Sequence, residues 1–216
     1  ILIAGVLEGT IETQINLFKS ILKGSYLMER FDSSKFEGKK NQKLSIELLE
    51  GNIKKIVFVG LGSAENLLIN DLRVATSIGT RQVLGCEGKV GLFLPWDAFD
   101  PSSAALAVGE AIRLTSFKDL RFKSENKVLN SIKEVELIGL DKKSNSAIAQ
   151  INPICEGVEL ARELVSSPPN FLTPSQLAKE AEKLAQDYDL NIKILNKKEC
   201  EDHGMGAYLS VAKGSD

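Results

Sequence analysis

The sequence predicts an α/β chain: a three-layer N-terminal domain with a mixed sheet, a linker helix, and the truncated start of a second α/β domain. Three observations predict it. Apolar runs of strand length alternate with stretches whose apolar residues recur every three or four positions, the order that places helices on the faces of a sheet. One run, Leu44, Ile46 and Leu48, alternates with polar residues, which suits a half-exposed strand near an edge. After Asp141 a polar stretch, Lys142–Ser146, interrupts the pattern, which then restarts.

The elements follow in order. Ile1–Leu7 is a continuous apolar run, as in a strand covered on both faces. Thr10 is placed to cap a helix in which Ile11, Ile15, Phe18 and Leu22 share a side. A polar loop, Asp32–Asn41, leads to the alternating strand. Ile56–Val59 is the most strand-like run and ends in the turn Gly60-Leu61-Gly62. A helix over 71–83 gathers Leu72, Ala75, Ile78 and Val83, and Val90–Leu94 is a further buried strand. Asp100-Pro101 starts a helix with a capping side chain and proline at its first position, burying Ala104, Ala105, Val108, Ala111 and Ile112. Val135–Leu140 closes the first series.

Beyond the boundary, Asn152 and Pro153 resemble a cap and first residue, opening a helix with Ile154, Val158, Ala161 and Val165 on one side. Ser166–Asn170 ends it, because proline supplies no N–H and constrains the residue before it. Thr173-Pro174-Ser175-Gln176 has capping-box spacing and opens a helix burying Leu177, Ala181, Leu184 and Tyr188. Ile192–Leu195 reads as a strand, followed by a short helix ending near Gly204. The domains are therefore expected at 1–145, 146–170 for the linker helix, and 171–216.

Composition narrows the function classes. With 43% hydrophobic and 26% charged residues the chain is neither disordered nor collagen-like. A net charge of −2 gives no electrostatic basis for holding nucleic acid. The basic run Lys118, Arg121, Lys123 and Lys127 is broken by Asp119 and Glu125 and reads as a solvated loop. No apolar stretch approaches the roughly 20 residues needed to span a bilayer. The N-terminal run has no basic region before it and is not a signal peptide; both ends read as cut. Cys86, Cys155 and Cys200 form no C-x-x-C pair and read as small buried apolar residues in a reducing compartment.

Each chemical candidate has a plainer reading. Gly60-Leu61-Gly62 after a strand suits a phosphate, but the dinucleotide pattern needs a third glycine where Glu65 stands, so a tight strand exit is preferred. Gly38-Lys39-Lys40 and Lys213-Gly214-Ser215 lack the spacing of a nucleotide-hydrolysing loop. His203, the single histidine, sits where it would close a short helix. Glu159 and Glu163, with Glu156 nearby, could hold a divalent ion one turn apart, but Arg162 beside them favours a solvated face.

The segments Glu156–Val165, Ser166–Pro174 and Gly204–Ser215 together resemble the linker helix, domain junction and catalytic-domain entry of leucyl (cytosol) aminopeptidases, and Ile56–Gly62 is similar to that family's strand exit. The resemblance implies a macro-like N-terminal domain, a connecting helix and a catalytic domain that uses two divalent metals, manganese, zinc or magnesium, to hydrolyse the first bond of a peptide. It implies a homo-hexameric, cytoplasmic parent enzyme, an assembly this chain alone would not form. The metal ligands it implies lie beyond Lys213-Gly214-Ser215, so no catalytic, metal-binding or cofactor-binding residue is assigned within the chain, which is expected to be inactive alone. An alternative is a macro-like module binding a nucleotide or ADP-ribose-type ligand at Gly60–Gly62.

Overall fold

A computed structural model describes residues 1–22, 26–49, 51–124 and 132–214. Residues 1–160 form one compact unit and 161–216 a second. Strands β1 (Leu2–Leu7), β2 (Lys43–Glu47), β3 (Lys55–Gly62), β4 (Lys89–Phe93) and β5 (Glu134–Leu137) form one sheet of order β2-β3-β1-β4-β5. β2 runs antiparallel to β3 and every other pairing is parallel, so the sheet is mixed, with the alternating strand at its edge.

The side-chain period of two divides the sheet into two apolar faces. Leu2, Ala4 and Val6 of β1 and Ile56 and Phe58 of β3 meet Phe18 of α1 (Ile11–Leu22) and Phe31 of α2 (Tyr26–Ser34). Phe58 is the centre of that layer, with its ring 5.8 Å from Phe18 and 4.8 Å from Phe31, both edge-on. Ile3, Val57, Val59 and Leu61 face the other way, onto Leu72 and Ala75 of α3 (Ile69–Val83) and Ala104 and Val108 of α4 (Pro101–Ser116). Helix, sheet and helix make the three layers. The small residues of α4 let that helix pack closely against α3, and all five positions read as its inward stripe are buried. Its start is fixed as the sequence indicates: Asp100 accepts the Ser103 N–H at 2.8 Å, with Pro101 following.

Several local expectations change. Residues 32–34, read as loop, belong to α2, which Phe31 anchors in the core. Thr10 precedes α1, but its hydroxyl donates back to the Leu7 carbonyl at 2.8 Å instead of capping forward. Of that helix's stripe, Ile15 and Leu22 lie outside the described side chains. β5 stops at Leu137, because Gly139 turns the chain at a φ of +83° and Ile138 is held by Trp96, whose Nε1–H donates to its carbonyl at 2.6 Å.

The largest change concerns the linker. Helix α5 runs from Asn145 to Ser166, so Asn152 and Pro153 do not start it; Pro153 lies inside. Its buried positions in the first unit are Ala147 and Cys155, with Ile151 half-buried between them, whereas Ile154 is exposed. The inward stripe is thus rotated by about one residue from the one read at Ile154 and Val158.

The second unit holds the end of α5, then α6 (Pro174–Asp187), α7 (Lys197–Asp202) and α8 (Gly206–Ala212). Thr173 caps α6, accepting the Gln176 N–H at 3.3 Å. Its buried residue is Ala185, with Ala181 and Leu184 half-buried; Leu177 and Tyr188, expected inside, are exposed. Residues 192–195 are not a strand, since a strand requires a ladder partner and none of the described residues supplies one.

Candidate functional site

Ligands of parallel α/β sheets are usually held at the C-terminal ends of the strands. Here Leu7 of β1 and Gly62 of β3 pair at that end, and the loop 38–42 lies across it. The Gly60 N–H donates to the Gln42 carbonyl and the Gly62 N–H to the Gly38 carbonyl, each at 2.8 Å, while the Glu8 N–H donates to the Gly62 carbonyl at 3.0 Å. The Gln42 side chain holds the loop from beneath, its Oε1 accepting the Glu37 and Lys39 N–H groups at 2.9 and 3.1 Å. Two motifs that are separate in the sequence, Gly38-Lys39-Lys40 and Gly60-Leu61-Gly62, are therefore neighbours.

The glycines have steric reasons. A β-carbon on Gly60 would run into the Lys39 carbonyl oxygen, and Gly62 and Gly38 hold φ values of +79° and +80°. The amides a phosphate would need at Gly60 and Gly62 already donate to the chain itself. The strand-exit reading fits this geometry and the anion-binding reading does not. Glu65 stands exposed in a short 3-10 turn, Ala64–Asn66, just beyond.

Lys40 leaves this loop to meet Asp71 on α3, its Nζ donating to both carboxylate oxygens at 2.9 Å. The same carboxylate accepts the Leu68 N–H at 2.8 Å and so closes the first turn of α3. Burial acts to raise the Asp71 pKa, but hydrogen bonds from Lys40 and Leu68 outweigh it and hold the carboxyl below its ordinary value.

The second cluster lies between α4 and α5. Arg113, in the last turn of α4, donates from Nε and Nη2 to the two Glu159 oxygens at 3.0 and 2.9 Å, and from Nη1 to the Asn152 side-chain oxygen at 2.6 Å. Glu156 stands 3.6 Å from the same guanidinium. Glu159 is therefore not on a solvated face: its side chain is 19% exposed and paired in bidentate fashion. The hydrogen bond to Glu159 raises the Arg113 pKa further. A cleft of about 500 Å³ opens beside this cluster, walled by Ile112, Ile132, Val135, Leu137, Ile148 and Ile151.

The remaining candidates stay apart. His203 caps the C-terminus of α7 and is exposed, in the capping role read from the sequence. Arg121 pairs with Asp119 at 2.7 Å and lies over the Phe122 ring, so the basic run is partly self-neutralised; Lys127 lies outside the described residues. Cys155 and Cys200 are buried and Cys86 only half-buried, because it follows α3 in an open turn. Among the described residues no three His, Cys, Asp or Glu side chains gather as a metal site, and no helix is long and apolar enough to cross a membrane. The sequence reading missed Arg113 and the Lys40–Asp71 pair. No local pattern distinguishes Arg113 from an ordinary basic residue near a helix C-terminus, and its partner Glu159 lies 46 positions away.

Comparison with known proteins adds a second line. Residues 3–126 match the model of the cytosol aminopeptidase family, N-terminal domain, and residues 159–216 match that of the catalytic domain. A probable cytosol aminopeptidase of Prochlorococcus marinus, strain SARG, is 45% identical over all 216 residues, and one from strain MIT 9211 is 46% identical. The chain spans 44% of the length of each. Among solved structures, a mutant of tomato leucine aminopeptidase superposes with a TM-score of 0.82 at 27% identity, covering 98% of this chain and 44% of that one. The bottromycin maturation enzyme BotP in complex with Mn shares the fold, with a TM-score of 0.62 at 22% identity over 86% of this chain and 36% of its own.

Proposed function

The chain belongs to the cytosol aminopeptidase family, and from that premise we propose that its residues are the N-terminal part of a metal-dependent aminopeptidase that removes N-terminal amino acids from peptides. The observation that carries this is the order of the two family matches, N-terminal domain first and catalytic domain from residue 159 onward. In this reading 1–145 is the N-terminal domain, 146–170 the linker helix and 171–216 the beginning of the catalytic domain. The whole protein would act in the cytoplasm as a homo-hexamer, with two divalent ions of manganese, zinc or magnesium.

The described residues do not fit those ions. Glu159 is engaged by Arg113, and no group of three His, Cys, Asp or Glu side chains gathers as a metal site among the described residues. No step of metal chemistry is therefore assigned to this chain, and its contribution is the folded platform and the helix leading into the catalytic part. The alternative of a nucleotide or ADP-ribose-type ligand at Gly60–Gly62 has no observation in its favour, since the strand-end amides donate to the 38–42 loop.

A chimera tests the reading. This chain replaces the matching 44% of the Prochlorococcus relative. The chimera should hydrolyse a leucyl chromogenic substrate with added Mn²⁺, and the 216-residue chain alone should show no turnover. Turnover by the chain alone, or a folded chimera without activity, would overturn it.

A further inference from the structure

We propose that Arg113 is a positioning residue that locks the proline-containing helix α5 onto α4 and offsets the weakness Pro153 introduces. This goes beyond the peptidase reading and does not depend on it. Proline has no N–H to give to the Ala149 carbonyl one turn back, and its ring crowds that carbonyl, at a cost that ordinarily kinks or breaks a helix. Yet α5 is continuous from Asn145 to Ser166.

The guanidinium holds α5 at the end of the weak turn and two turns beyond it. On the N-terminal side of Pro153 it donates to Asn152, at 2.6 Å to the side chain and 3.3 Å to the carbonyl. On the C-terminal side it grips both oxygens of Glu159, two turns along the same face. Three nitrogens of one planar fork thus tie two points of α5 to α4. A lysine, a single point donor, could not reach both.

A glycine on α4 makes room for α5 beside this fork. Gly109 lies one turn before Arg113 on α4, and a β-carbon there would collide with the Ile151 side chain. Ile151, Cys155 and Glu159 follow at intervals of four, so one strip of α5 seats against Gly109 and then meets the fork. Cys155, between them on that strip, is wholly buried. The Arg113 and Glu159 side chains are 28% and 19% exposed, which shields the pair from the solvent screening that weakens surface ion pairs.

Hydrogen exchange on the whole chain tests the lock. In Arg113→Met the amides of 154–160 should exchange about tenfold faster or more, the scale of losing charged hydrogen bonds, while those of β1 and β3 keep their protection. Arg113→Lys should fail to restore it, and Glu159→Gln should move the same amides. Combining Arg113→Met with Pro153→Ala, which returns the missing N–H, should shrink the acceleration to roughly half or less. An undiminished effect in the Pro153→Ala background would sink the proposal. So would unchanged exchange in Arg113→Met, or equal acceleration in β1 and β3.

Discussion

The two units use the same residue types and treat them differently. In residues 1–160 the central strands β1 and β3 are covered on both faces, and Ile56, Val57, Phe58 and Val59 are fully buried in succession. In residues 161–216 only Ala185 and Cys200 are buried among the described residues, while Val211 is 82% and Tyr208 65% exposed. Apolar spacing records which face of a helix is suited to burial. Whether anything covers that face is a separate, non-local fact. The first unit meets both conditions through its sheet; the second meets the first condition only.

Substitutions should separate the units by magnitude. Phe58→Ala removes the ring on which Phe18 and Phe31 converge, and should cost the first unit about 3–5 kcal/mol. Urea unfolding followed by Trp96 fluorescence reads this directly, because Trp96 is the single tryptophan and is buried in that unit. Gly60→Ala should cost about 1–3 kcal/mol in the same assay, since the Lys39 carbonyl lies where the new methyl must go.

Asp71→Asn should cost up to about 1 kcal/mol at neutral pH, because the amide keeps an oxygen for the Leu68 N–H but loses the ion pair with Lys40. Its pH dependence has a definite sign. The folded-state pKa of Asp71 is lowered, so its contribution is complete above the unfolded value of about 3.9 and is lost as pH falls through the lower folded value. The gap between wild type and Asp71→Asn should therefore close in acid. A gap that widens there would contradict the pairing with Lys40. At the small end, Tyr208→Ser and Val211→Ser should each change thermal stability by no more than about 0.5 kcal/mol, measured by circular dichroism. A core-sized loss at either would show that α8 is covered after all.

The same contrast explains what the sequence disclosed. Local chemistry was readable where it also decided the structure: the Asp100-Pro101 start of α4, the alternation of Leu44 and Ile46 at the sheet edge, and Thr173 before α6. It misled where tertiary contacts overrode it. Asn152-Pro153 has the chemistry of a helix start, yet α5 already runs through it, held by Arg113 from another helix. Ile192–Leu195 has strand composition but lacks the ladder partner that composition cannot supply. At the strand ends, Glu65 was the local argument against a phosphate, but the stronger reason, the 38–42 loop across the Gly60 and Gly62 amides, is a long-range contact.

Residue-resolved hydrogen exchange on the intact chain tests most directly whether the first unit is a self-sufficient core and the second is not. The amides of β1, β3 and β4 should exchange only through global unfolding, whereas those of α6 and α8 should exchange by local opening, orders of magnitude faster. Equal protection in the two units would contradict the account.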